Sequence, residues 1–327
     1  MIHRKDSHNS CASRCTLSGA EMNARTELVE ALLDSAWRQW TTLGVAGVEA
    51  AGVVAVDLEA LLLLTASLFA DDPRLRDEVL DWCVRSHRLI SKPRLKQLVK
   101  LASAGTQAAF QPFARALQRH VGGTWPAVAG PESEAGWGQL SGKSHAPDLE
   151  QPALLNLKLR ALFGVGARAD VITALLNWPA PDFGAADLVF VGYTKRNLAD
   201  ALDALAAGGL LASTRVGNRV RFSWRRRGEL CRVIEPLPKT IPRWPPISRV
   251  LAGFLEFLLR TQGKSERVSV VEAVRELDRL SPDLRTLGLE PPRAASAPVE
   301  WAQVVEWMLS NARELARQPA RGATPVR

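Results

Sequence analysis

The sequence predicts a mainly α protein with one β-hairpin, and three observations carry that prediction. Apolar residues recur at helical spacing through most of the chain. Two stretches rich in proline or glycine divide it. One segment alone has the β-branched, glycine-centred pattern of a hairpin. The chain has 327 residues, 46% hydrophobic and 23% charged, an ordinary globular composition with material for two or three domains.

That composition excludes a collagenous, wholly disordered or disulfide-stapled chain. Cys11, Cys15, Cys83 and Cys231 are scattered and form no disulfide framework. No apolar run reaches the roughly 20 residues that span a bilayer, so no membrane association is expected. The richest run, Leu61 to Ala70, is interrupted by Thr65 and Ser67 and followed by Asp71 and Asp72, and reads as a buried helix. No secretory apolar core opens the chain, so the expected compartment is the cytoplasm.

Residues 1–21 are polar and aperiodic and read as a disordered tail, with Met22 as a candidate start. From about Arg25 to His120 the pattern is helical. Leu28, Leu32, Ala36 and Trp40 share one face. Asp57 is placed to cap a helix beginning EALLLL, and Asp72-Pro73 supplies a cap and first-turn proline for the next. Ser91, Lys92 and Pro93 start another, striped by Leu95, Leu98 and Val99. Residues 121–150 hold six glycines and three prolines and read as a linker or long mobile loop, and residues 235–248 hold five prolines. Helical patterns resume at Val250, Val268 and Val299. The expected division is a tail (1–21), an N-terminal helical domain (22–120), a Gly/Pro-rich linker (121–150), a central domain (151–234), a Pro-rich linker (235–248) and a C-terminal helical domain (249–327).

Charge singles out the centre. The net charge is +8. Residues 1–150 carry 16 basic and 17 acidic side chains, residues 151–260 carry 16 and 8, and residues 261–327 carry 10 and 9. A local basic excess is the electrostatic footprint of a polyanion binder, and also of any solvated basic surface.

The central segment has the most specific pattern. Ala167 to Trp178 is helical and buries Val171, Ile172, Leu175 and Leu176. A short apolar helix follows at Ala185 to Phe190, then a tight turn at Val191-Gly192-Tyr193. Thr194 caps a helix that ends at Gly208 or Gly209. Leu198, Ala201, Leu202 and Leu205 lie on one of its faces, with Lys195, Arg196, Asp200 and Asp203 pointing the other way. Leu210 to Trp224 then reads as a hairpin. A three-residue loop of Val216, Gly217 and Asn218 pairs Arg215 with Arg219 and places Arg215, Arg219 and Arg221 on one basic face.

The string GYTKRNLADALDALAAGGLLASTRVGNRVRFSW resembles the recognition helix, glycine stop and wing of winged helix-turn-helix transcriptional regulators of the MarR or ArsR kind. That resemblance covers about a fifth of the chain. It implies that Thr194, Lys195, Arg196 and Asn197 approach bases or phosphates in the major groove; Tyr193 beside them is read either as a further DNA contact, stacking or bonding a phosphate, or as a structural residue of the turn. It implies further that Arg215, Arg219 and Arg221 contact DNA from the wing, with Asn218 of the loop a candidate contact beside them, and that the chain binds double-stranded DNA as a homodimer in transcriptional control. Asp200 departs from the family's basic or neutral residue there; it would accept from a cytosine amino group or pair with Arg196. The flanking helices match no regulator family, so no small-molecule effector carries over. The alternative reading is a protein–protein interaction module on the same scaffold.

No catalytic residue, metal or cofactor is expected. Gly-rich phosphate loops, nucleophile elbows and HExxH are missing from the sequence. Cys83 with His87, and His8 with Cys11 and Cys15, fall short of a closed four-ligand site. Asp71, Asp72, Asp77 and Glu78 gather at a helix start, where the dipole attracts carboxylates anyway.

Overall fold

The structure is a computed structural model that describes residues 9–47, 54–126, 140–292 and 301–317. The first helices are α1 (Asn9–Leu43), α2 (Leu58–Ala66), α3 (Pro73–Ser86), α4 (Lys92–Leu101) and α5 (Ala104–Val121). Capping sets their starts. The Asp57 carboxylate accepts from the backbone N–H of Ala60, and Asp72 accepts from that of Leu75 with Pro73 beginning α3. Asp72 also accepts from Trp37 Nε1 at 2.8 Å, and Asp71 pairs with Arg25 at 2.7 Å, so both these acids are used in holding the bundle.

Helix α1 begins well before the expected Met22. Residues 9–21, read above as tail, belong to it, because no proline interrupts them and extending a nucleated helix needs far less than starting one. Residues 1–8, with His8, lie outside the described residues.

The chain then runs through α6 (Leu155–Phe163), α7 (Ala167–Leu176), strand β1 (Asp182–Phe183), a 3-10 turn (Ala185–Val191) and α8 (Lys195–Ala207). It continues through β2 (Leu211–Val216), β3 (Arg219–Trp224) and α9 (Arg227–Ile234). The three strands form an antiparallel sheet in the order β1-β3-β2. Helices α10 (Trp244–Thr261), α11 (Glu266–Leu287) and α12 (Trp301–Arg317) complete a mainly helical fold. Among the described residues no helix is long and apolar enough to cross a membrane.

Two cores form, and they do not follow the expected three-domain division. One joins Leu28, Leu32 and Trp40 of α1 and Leu61 and Leu64 of α2 to Phe254 and Leu258 of α10, Leu280 of α11 and Leu315 of α12. The N- and C-terminal helices therefore make one body. The reason lies in α10, which buries residues around nearly its whole circumference and needs neighbours on both sides. Thr106 Oγ1 donates to Glu256 of α10 at 2.8 Å, and Arg313 of α12 pairs with Glu27 of α1.

The second core is built by residues 155–241 together with Ala55, and includes Leu159, Ile172, Leu175, Leu198, Leu202, Phe222 and Ile234. It fills the space between α7, α8 and the inner face of the sheet.

Both linkers are more structured than their composition suggests. Within the described part of 121–150, the Asp81 carboxylate accepts from the backbone N–H groups of Gly142 and Ser144 at 2.8 and 3.1 Å, strapping the segment to α3. Within 235–248, Trp244 to Ser248 are the buried first turns of α10, with Pro245 and Pro246 at starting positions that need no N–H partner. Thr240 bridges Val54, and Trp244 Nε1 donates to the carbonyl of Ala55 at 2.5 Å.

Candidate nucleic-acid interface

Helix α8 is aimed by its apolar face. Leu198, Ala201, Leu202 and Leu205 are buried in the second core, so Lys195, Arg196, Asn197, Asp200 and Asp203 stand in solvent. Thr194 caps the helix as expected: its Oγ1 accepts from the Asn197 N–H at 3.3 Å and donates to Asn197 Oδ1 at 2.5 Å. The Asn197 side chain is thus engaged in the cap.

The turn before α8 fits the helical body closely. Gly192 has φ +97°, and a Cβ there would lie 2.6 Å from Leu98 Cδ2 of α4, so glycine is required for both backbone and space. The first turn of α8 holds no acid, and Lys195 and Arg196 occupy it instead. Cations at a helix N-terminus oppose the macrodipole by some tenths of a kcal/mol, while the dipole and free N–H groups of that end favour an arriving anion. Among the described residues neither Lys195 nor Arg196 forms an ion pair, and Arg196 is not joined to Asp200.

The hairpin register differs from expectation. Val216 pairs with Arg219, Arg215 with Val220, Thr214 with Arg221 and Ser213 with Phe222, closing a two-residue loop of Gly217 and Asn218. Gly217 has φ +59°, the left-handed conformation that lets a two-residue loop match the strand twist. The expected three-residue loop rested on separating basic from apolar faces. Toward the tip both faces are solvated, so nothing there enforces that separation and the turn sets the register.

The arginines are therefore split. Arg215 shares a face with Phe222 and Trp224, and Arg219 and Arg221 share the other. Arg215, Asn218 and Arg219 are exposed. Arg221 is not free: its Nε donates to Asp182 at 3.0 Å and its Nη1 to Asp187 at 2.6 Å. These bonds raise its pKa and tie β3 to β1 and the 3-10 turn. Arg221 is a brace of the hairpin, and the single face of three arginines does not form.

Tyr193 is corrected most fully. It is 4% exposed, with its hydroxyl donating to Asp170 Oδ2 at 2.6 Å and lying 2.9 Å from Ser91 Oγ. Its side chain points into the protein, away from the exposed face of α8. It belongs to a buried ionic cluster that the sequence reading missed.

That cluster joins the two cores. Arg160 of α6 donates to both Glu59 oxygens at 2.8 and 2.7 Å, and to Asp170 of α7 at 3.0 and 3.1 Å. Arg94 of α4 donates to Asp57 at 2.7 and 2.5 Å, to Glu59 at 2.7 Å and to the Val191 carbonyl at 2.7 Å. Burial would raise the Asp170 carboxyl, but the Arg160 and Arg94 guanidinium groups overcome it and hold the pKa at about 2. Burial by itself lowers both arginines, and the surrounding carboxylates outweigh it and raise them. The Tyr193 hydroxyl is pushed up by burial and by the Asp170 charge. The available signal was a charged residue on an apolar helix face: Glu59 before LLLL, Arg160 within LKLRALF and Asp170 before VITALL.

Among the described residues no group of His, Cys, Asp and Glu is placed to hold a metal. Cys83 is fully buried, with its thiol pKa raised by that burial, and the His87 ring bonds the Val84 carbonyl. No protein-family model, curated protein or solved structure matches the chain significantly.

Proposed function

We propose that residues 151–234 form a winged helix-turn-helix that binds double-stranded DNA, and that the chain acts as a homodimeric transcriptional regulator. The order of α7, β1, a helical turn, α8 and a hairpin whose second strand pairs with β1 supports this reading. The observation that carries it is the exposed first turn of α8, where Lys195 and Arg196 form no ion pair with any described residue and stand at the positive end of a helix whose other face is pinned in a core.

In this reading Lys195 neutralises a phosphate and Arg196 donates to a guanine edge, worth ~1–3 kcal/mol of discrimination. Arg219 and Arg215 reach backbone from opposite faces of the hairpin. A second copy brings a second α8 to the next half-site. The exposed Val268, Val271 and Val274 of α11 offer an apolar surface for that pairing.

Selection of bound sequences from a random duplex pool tests the proposal, with enrichment of a two-part motif as the expected result. The exposed Val216 and Val220 beside the hairpin tip support the alternative, a protein-docking use of the same scaffold. Failure to retain any duplex at low ionic strength would favour it.

A further inference from the structure

Helix α11 turns toward solvent a stripe that is apolar at its centre and oppositely charged at its ends. Arg267, Val271, Val274 and Asp278 are all exposed. At 3.6 residues per turn they fall within about 60° of one another, clear of the face that buries Ala273, Leu277 and Leu280. Val271 is 52% exposed and Val274 39%. Val268 lies about a quarter-turn further round, at the rim of the stripe.

The two end charges have no counterpart nearby. Neither Arg267 nor Asp278 forms an ion pair with any described residue. The neighbouring Arg275 and Arg279 are instead joined to Glu272 and Glu276 of the same helix. Arg285, further along, is bonded to Ser281.

The spacing makes the stripe complementary to itself. Arg267 stands four residues before Val271, and Asp278 stands four after Val274. Two copies of α11 laid antiparallel, crossing midway between the valines, therefore match in register under a two-fold axis. Val271 then meets Val274 of the partner subunit, and Arg267 meets Asp278 of the partner subunit. A parallel pair would set each charge against its own kind, and a plain apolar partner would leave both charges unanswered.

We propose that this stripe is the seam of an antiparallel homodimer, with the valines at its centre and an Arg267–Asp278 ion pair at each end. The inference rests on the homodimer proposed above and adds the face and register by which the copies meet. One helix pair buries less than the roughly 1,200 Å² of a standard stable interface, so dissociation in the micromolar range is expected.

The test is analytical ultracentrifugation of the full-length chain without DNA, from about 1 to 100 μM, around the dissociation constant expected. A monomer–dimer equilibrium is expected. Arg267→Asp and Asp278→Arg, with melting checked, should each weaken self-association by about tenfold or more, because like charges then face one another at both ends. Mixing the two single variants should restore the dimer, since opposite charges meet again in the mixed pair. The chain carrying both changes should also regain it. A dimer that neither single change weakens, or a mixture that stays monomeric, would overturn the seam while leaving the homodimer standing. A native chain that stays monomeric across the range would overturn it too. Whether the homodimer falls with it is then read from the number of copies bound to a selected duplex.

Discussion

Tyr193 stands immediately before the cap of α8, and its hydroxyl is bound to Asp170 of α7 at 2.6 Å. The helix proposed to enter DNA is thereby held, two residues before it begins, to the buried charges that join the two cores. Tyr193→Phe removes a donor from an ionised carboxylate, and such bonds contribute ~1.5–3 kcal/mol. Chemical denaturation should show a loss of that size. A change within error would mean that the bond is replaced easily and the anchor is weak.

Arg160 is the centre of that cluster, wholly buried between Glu59 and Asp170. Arg160→Met fills similar space but leaves two carboxylates short of their cation. Breaking a buried pair in this way costs about 3–5 kcal/mol. The expected outcome is a chain near the limit of folding at room temperature, read from its urea midpoint. Loss of less than a kcal/mol would show that water reaches the cluster.

The same cluster sets an acid limit. Asp170 binds its proton at about 2 in the folded chain and near 3.8 in the unfolded one. Between those pH values the unfolded state takes up more protons, so stability falls as pH falls. The contribution, about 2 kcal/mol, is fully present above pH 4 and lost by about pH 2. A carboxyl ¹³C titration of Asp170 should give a midpoint near the lower value. A midpoint at the ordinary carboxylate position would contradict the pairing.

Arg196 and Arg219 are assigned different tasks, and substitution separates them. Arg196→Ala should weaken a selected site by ~1–3 kcal/mol and random duplex much less. Arg219→Ala should weaken both alike and lower the salt slope by about one. Equal losses from the first change would place Arg196 on phosphate.

Much of the fold can be read from local chemistry. The caps at Asp57, Asp72 and Thr194, the positive φ at Gly192 and the apolar face of α8 follow from residue type and spacing. The hairpin register does not, because a polar tip has no buried face to choose between loops of two and three residues. The union of the N- and C-terminal helices is also hidden. Apolar spacing shows that α10 is buried, and it does not show which helices bury it. Tyr193 illustrates the limit for the site. Its neighbours Thr194 to Asn197 are exposed, but Ser91 and Asp170, distant in sequence, draw it inward.

The most direct test of the account is the salt dependence of binding to a labelled random duplex, measured by fluorescence anisotropy for the native chain and for a variant carrying Lys195→Ala and Arg196→Ala. The account predicts binding at low ionic strength that weakens steeply with salt, and a log–log slope shallower in the variant by up to about two, one for each lost cation that meets a phosphate. No salt-sensitive complex, or binding that the double substitution leaves unchanged, would contradict it.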